Sequence, residues 1–400
     1  MKRSFFCLFL LSVLFSCEKD DTPEILKFYG DAYDDIGYSI ASTGKGYLIA
    51  GQYTKILRTP EKGITGSYRK LALIETGSEG MEIRKDTTSS KLTSCGTKVI
   101  TLDDGSSIVA GYIMNPGSSA QDIYVVKFAA NGEGFTEKVY TLAGNQYAND
   151  IIKTPEGYLI LGATDVERGS SDDTGNASGK KDILLLSINN NLDIIRYIPY
   201  GFTGNDEGVA IKADRSGGYV VVGTTDRYQS ATGTDVFILS VNEDISNVSA
   251  RSGRFIELAN NQTAADFEVT TDGYFIAGNT DSEGSSKGYA WKITGTIWGS
   301  VEHHAIKFND TEEAFTINSI SPYKSNSFLM AGQYGSTTSG SMIIFATDML
   351  GYPDEGKRRI SGGTGNQVAY DVVADGDDIV AVGKNTYENN SMITLLKFRF

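Results

Sequence analysis

Only two histidines, His303 and His304, occur in the 400-residue chain, and they are adjacent. The segment around them reads as a strand, on which neighbouring side chains point to opposite faces, so the pair cannot hold one metal ion together. With so few candidates no Ser/His/Asp set is expected. The acid pairs Asp34-Asp35, Asp172-Asp173 and Asp377-Asp378 fall in stretches that read as loops, where solvated carboxylates are the default. Residues Asp172 to Asn176 loosely suggest a calcium loop but lack its Asp-x-Asp-x-Asp-Gly spacing and terminal Glu. Of three cysteines, Cys7 and Cys17 lie at the N-terminus. Cys95 therefore has no disulfide partner within the chain, no CxxC or Cys/His cluster suits zinc, and Cys95 reads as a packing residue. No catalytic residue, metal or cofactor is assigned.

Binding chemistry is better represented. Tyr33, Tyr53, Tyr68, Tyr147, Tyr228, Tyr334 and Tyr387, with Tyr112 and Phe202, recur beside Asn, Gln and Asp at corresponding places in a repeat. Aromatic faces among amides and carboxylates suit sugars, whose apolar faces stack while their hydroxyls take hydrogen bonds, and they suit peptides equally. The competing reading is that these rings pack between repeats.

The repeat that positions them is visible in YLIAGQY, SIVAGYI, LILGATD, YVVVGTTD, YFIAGNTD, FLMAGQY and DIVAVGKN. Its marker glycines are Gly51, Gly111, Gly162, Gly223, Gly278, Gly332 and Gly383, separated by 60, 51, 61, 55, 54 and 51 residues. Periods of this size mark propellers or solenoids. A small residue precedes the glycine by about fourteen positions at Gly37, Ala148, Ala264 and Ala369; Gly208 and Ala314 fit with one and four extra residues, and Cys95 or Gly96 fills the place in the second copy. Each unit then reads as four strands, with the marker glycine in the second, where glycine is expected because inner strands crowd the axis and side chains there must be small. The seventh unit stops one strand short at LLKFRF, while the chain opens on ILKFYGDAYDD, which matches the end of a unit. The prediction is an all-β, seven-bladed β-propeller of four antiparallel strands per blade, in which residues 25–29 complete the last blade and remove an open edge. A right-handed β-solenoid is the competing architecture, but its rungs are shorter and it needs no matching ends. Function is expected on the long connections between strands two and three, TKILRTPEKGITGSYR in blade one and DVERGSSDDTGNASGKK in blade three.

The N-terminus suggests an address. Met-Lys-Arg, the apolar run FFCLFLLSVLF and Ser16-Cys17 read as a secretory signal. Leu14-Phe15-Ser16-Cys17 resembles the bacterial lipobox, which implies cleavage before Cys17 and lipid on its thiol. Glu18-Lys19-Asp20-Asp21 resembles the export signal of Bacteroidota surface lipoproteins. TTDGYFIAGNTD and RSGGYVVVGTTD are similar to the Gly-Tyr-x-x-x-Gly repeats of uncharacterised propeller lipoproteins of that group, a likeness that supplies no catalytic residues. The expected organisation is a signal peptide at 1–16, a lipidated cysteine with a short acidic linker at 17–23, and one propeller domain at 24–400. Loss of Lys2 and Arg3 lowers the formal charge from −14 by two to −16. So acidic a chain repels phosphate backbones, which excludes nucleic acid as a partner. The linker from Glu18 to Pro23 spans only about 20 Å when extended. These features favour a non-enzymatic binding or accessory subunit, held at the outer membrane by Cys17 and facing the cell exterior. Its expected partners are a TonB-dependent outer-membrane transporter or other surface lipoproteins, with glycan or peptide as ligand. The alternatives are a polysaccharide lyase or hydrolase with its site over the channel, and a structural scaffold for protein interaction.

Overall fold

The computed structural model describes residues 25–400 apart from 60, 89–90, 118, 166–180, 203, 227–232, 247–252, 282–285, 310–312 and 389. Seven sheets of four antiparallel strands succeed one another along the chain. Each contributes its apolar faces to clusters shared with a neighbour, such as Leu48, Leu71 and Leu73 of blade one against Val99 and Val109 of blade two. Six sheets are built from consecutive strands. The seventh joins Asn366–Asp375, Asp378–Tyr387 and Asn390–Phe398 to Ile25–Tyr33, whose residues Ile25 to Tyr29 pair with Lys397 to Ile393. Blade closure by the first strand is therefore present as the matching ends require, and the chain forms a seven-bladed propeller.

The small residue of each inner strand lies opposite its marker glycine, as Gly37 opposite Gly51, Gly96 opposite Gly111 and Ala148 opposite Gly162. In blade six that place is taken by Ile317 rather than Ala314. One residue beyond this pair, all seven inner strands carry a β-bulge. The bulge turns the carbonyl of the preceding residue toward the second strand. A Cβ on any marker glycine would sit well inside contact distance of that oxygen: Ile36 O at Gly51, Thr263 O at Gly278, Val368 O at Gly383. Crowding at the axis is thus not what selects these glycines; the bulge on the adjoining strand does.

In an up-and-down blade the connections between strands two and three share one face with the passages between blades. In blade one this connection is not a loop. Strands Gly46–Thr59 and Gly63–Gly77 stay paired to their ends, Thr59 opposite Gly63, forming a hairpin that overshoots the sheet. The long connection of blade three, with Asp172, Asp173 and Asn176, lies outside the described residues.

Candidate functional site

The bulges build the site. Each inserts one residue whose side chain leans toward the axis: Tyr38, Thr97, Asn149, Val209, Ala265, Asn318 and Tyr370. Together with Lys98, Asp150, Asp266, Ser319 and Asp371 from the next position they line an axial cavity of about 420 Å³. Its lining residues Glu207 and Asn279 stand near the strand ends on the side of the blade-one hairpin.

Deep in this cavity lie three aspartates that fasten blades together. Asp150 accepts the N–H of Ile151 (2.8 Å) and of Ile211 in the next blade (2.9 Å). Asp266 does the same with Phe267 (2.7 Å) and Ile320 (3.3 Å). Asp371 accepts Val372 N–H (2.9 Å), Ile40 N–H (3.0 Å) and the hydroxyls of Ser39 (3.0 Å) and Ser319 (2.8 Å). Ser39 plays the role in blade one, its Oγ accepting Val99 N–H at 3.3 Å. Lys98 sits among them, 3.7 Å from Asp371, with about a third of its side chain open to the cavity (32%). Asp371, then Asp150 and Asp266, hold its ammonium well above the ordinary lysine range. Below it Lys212 donates to Glu268 at 2.8 Å. Burial alone would lower Lys212, but Asp266 and Glu268 more than reverse it. Burial raises both Asp150 and Glu268, opposed by Lys98 and Lys212 respectively. Among the described residues no three His, Cys, Asp or Glu side chains converge as a metal-ligand set.

The mouth is lined differently on its two sides. Where blades seven and one meet, Tyr38 and Tyr370 lie with ring centroids 5.1 Å apart. Among the described residues neither hydroxyl has a hydrogen-bond partner, and burial raises both above the usual phenol range. Across the axis Glu207 accepts Tyr147 Oη–H (2.8 Å), Asn149 Nδ2 (3.3 Å) and Lys181 Nζ (3.0 Å). Burial pushes Tyr147 up to about 12. Several amides here are structural: Asn149 donates to Gly208 O and Asn318 to Ala369 O, each stitching its bulge to the next blade. The cavity is therefore a fixed polar funnel with an aromatic wall at the seam, an amide and carboxylate wall opposite, and a charged floor.

The sequence-predicted aromatics divide accordingly. Tyr33 pairs with Ser391, and the next residue, Asp34, donates its N–H to Thr54 Oγ1 (3.3 Å). This places Tyr33 with Tyr53, Tyr68 and the half-exposed Tyr387 in the sector of blades seven and one. Tyr147 belongs to the opposite wall. Tyr334 packs into the core of blade six beneath Arg358, 5.3 Å from its ring centroid. Tyr112 lies on the blade-two side, held up near 12 chiefly by burial. Phe202 is buried against Tyr200, Phe237 and Phe255, a core ring instead of an exposed one. Tyr228 lies outside the described residues.

Two acid pairs depart from the expectation of solvated loops. Asp35 is fully buried and accepts Thr54 N–H (2.6 Å), while Asp34 pairs with Arg69 (2.6 Å). Asp378 begins a strand and binds Lys397 (3.0 Å) and Arg399 (2.5 Å). His303 and His304 do face opposite ways: His303 Nδ1 meets Tyr289 Oη at 2.8 Å, whereas His304 stacks on Tyr352 at 4.3 Å. Cys95 is buried, and burial pushes its thiol up to about 12. The aspartate ending LILGATD and its copies is also a fastener. Asp165, Asp226 and Asp281 bind the backbone N–H of Asn145, Asn205 and Asn261 at 2.6, 2.5 and 2.9 Å. Those asparagines in turn accept N–H groups of Gln121, Lys181 and Thr234 from the preceding blade.

Sequence reasoning missed Lys98, Asp150, Lys212, Asp266, Glu268 and Asp371. A signal was present, because each stands two or four residues after the small inner-strand residue, in the phase that faces the axis once the bulge is counted.

No known family model matches the sequence, and no curated protein is similar to it. Solved structures that resemble it include the polysaccharide lyase Uly1, 9% identical over 93% of this chain and 91% of that one, with a TM-score of 0.53. Another is Sqt1 of Chaetomium thermophilum, 10% identical over 93% and 97% of the two chains, with a TM-score of 0.51. At such identities the likeness is one of fold, and it agrees with the ring of seven four-stranded blades.

Proposed function

We propose that the chain is a carbohydrate-directed propeller that takes a hydroxylated ligand at the mouth of its axial cavity. The observation that carries this reading is the pair Tyr38 and Tyr370, whose rings stand together and whose hydroxyls have no partner among the described residues. Opposite them lie Asn149 and Glu207. Such a wall offers stacking for an apolar sugar face, and the facing groups take its hydroxyls. Binding without turnover is the leading reading because Asp150, Asp266 and Asp371 already accept backbone N–H groups that join blades. A carboxylate committed in this way is poorly placed to shuttle a proton. The lipobox-like sequence at Cys17 supports display from the outer membrane beside a TonB-dependent importer or other surface lipoproteins. Peptide is the other ligand class that the same chemistry admits.

A lyase or hydrolase is the second reading. It is favoured by Glu268 and Asp150, raised in pKa beside Lys98 and Lys212, and by the likeness in fold to a polysaccharide lyase. One experiment separates the two. Pure protein is titrated with neutral and acidic glycan pools and with peptide pools, while reducing ends and unsaturated products are followed. Saturable glycan binding that falls at least tenfold in Tyr38→Ala and Tyr370→Ala, without turnover, supports the binding reading. Turnover abolished in Glu268→Gln replaces it with the enzymatic one. Binding to none of these pools overturns both.

A further inference from the structure

The blade-one hairpin carries the opposite charge from the rest of the molecule. Residues 53–70 hold Lys55, Arg58, Lys62, Arg69 and Lys70 against a single acid, Glu61, in a chain of net charge −14. Arg69 is neutralised by Asp34 and Lys70 donates to Thr88 O (2.6 Å). Lys55, Arg58 and Lys62 have no carboxylate partner among the described residues. An acidic protein that leaves three cations without a carboxylate partner, among the described residues, on a hairpin extending beyond its sheet presents a local attraction for anions against a repulsive background.

The pairing register gives that charge a pattern. Tyr53 lies directly opposite Lys70, and Lys55 opposite Tyr68. Directly opposed residues of an antiparallel pair share a face, and so do residues two apart, so these four form a checkerboard of rings and ammonium groups. Lys85, from the outer strand, sets its Nζ 4.0 Å over the Tyr53 ring, and Lys70 stands 5.7 Å from that of Tyr68. Burial, and then the charge of Lys55, lower Lys70. An anion laid on this face relieves that repulsion. The exposed Leu57 extends the same face, and the six residues from Thr54 to Thr59 reach about 20 Å along the hairpin.

The geometry points to this face as a binding platform for an acidic polysaccharide, in which Tyr53 and Tyr68 stack on sugar rings and Lys55, Lys70 and Lys85 take carboxylate or sulfate groups. Two features favour a glycan over an anionic membrane. The rings alternate with the cations instead of forming the continuous apolar stripe that enters lipid. The hairpin also leaves the face on which the strand Ile25–Tyr33 ends, so it points away from the side where that strand begins. The inference deepens the glycan reading above by adding the charge of the ligand, but it rests on separate residues.

The test is affinity electrophoresis of the full mature chain through gels containing polygalacturonate, dextran sulfate or neutral dextran, at about 50 and 500 mM salt. Retardation by the two acidic polymers only, lost at high salt, is expected. Lys55→Glu weakens it at least tenfold and Tyr68→Ala several-fold, with unchanged melting curves. Equal retardation in all gels, no effect of Lys55→Glu, or sedimentation with phosphatidylglycerol vesicles in place of polymer retention overturns the inference. Neutral-glycan binding assigned to Tyr38 and Tyr370 is read in parallel, so failure of either site is visible apart from the other.

Discussion

Asp371 joins three blades at the place where the chain closes on itself, and its removal is the most direct test of how the ring is held. Its carboxylate, almost fully buried, accepts the backbone N–H groups of Val372 and Ile40 and the hydroxyls of Ser319 and Ser39. Asp371→Ala leaves two buried N–H groups without that acceptor, each costing about 1–3 kcal/mol. It also leaves Lys98 with Asp150, Asp266 and Glu268 as its remaining acidic neighbours. Because Lys98 is about a third exposed to the cavity, its lost Coulomb partner is discounted to about 1 kcal/mol or less. The hydroxyls can rotate to other acceptors and add little. The expected destabilisation is about 3–5 kcal/mol, within the range for breaking a buried charged network. Asp371→Asn keeps one acceptor oxygen and should cost about half as much. A propeller need not unfold in one step, so the decisive assay is local: hydrogen exchange with mass spectrometry on peptides covering residues 36–42 and 366–375. Both should exchange at least about a hundredfold faster in Asp371→Ala, since each 1.4 kcal/mol is tenfold, while the blade-three strand 146–153 stays protected. Equal protection at the seam, or loss spread evenly round the ring, would refute the assignment of Asp371 as the seam fastener.

Other substitutions probe the remaining elements. Gly278→Ala drives a Cβ into Thr263 O and should cost about 2–4 kcal/mol, whereas Gly77→Ala, with open space around it, should stay within about 0.5 kcal/mol; urea titration of both checks this. His304 is lowered by burial against Tyr352, so the folded state binds its proton less readily than the unfolded chain. The stability this confers is present above about pH 6.5 and fades as pH falls below it; a pH series of melting temperatures on His304→Phe should lack that part of the decline. Asp378 is pulled in two directions, raised by burial but lowered on balance by Arg399 and Lys397. Its contribution is complete above the usual aspartate range and is lost as pH drops through the depressed folded value. Asp378→Asn should therefore flatten the acid limb of stability and speed exchange in residues 390–398 at neutral pH.

The sheets and their closure were legible because each blade solves one packing problem seven times. The marker glycine, the alternation of YLIAG and DVFILSV, and the matching ends all carry a period that composition cannot hide. What was not legible is the bulge. It shifts the phase of every inner strand by one residue at a point with no distinctive residue type: Tyr38, Val209 and Asn318 share no chemistry. Counted without it, Lys98, Asp150 and Asp371 take the phase of the small residues two places before them, and their convergence at the axis is invisible. Phe202 was misplaced for a related reason, since a ring beside a loop-like GFTG looks exposed until Phe237 and Phe255 are seen to cover it. Blade one's connection carried a strand signal in KILRT and ITGSYR, but Pro60 and Gly63 between them read as a loop.

The fasteners on the inner strands alternate. Ser39, Asp150, Asp266 and Asp371 reach forward from blades one, three, five and seven, while blades two and four offer Lys98 and Ala210, which cannot accept an amide. An every-other-site rule cannot run round an odd-numbered circle without two like sites becoming neighbours. Here the neighbours are blades seven and one, and Ser39 turns its hydroxyl hydrogen to Asp371 in the one place where two fasteners touch. A six- or eight-membered relative obeying the same rule would have no such mismatch. In this molecule it falls where the chain's two ends interlock, so Asp371, with four donors from three blades, reinforces the joint at which the ring is closed.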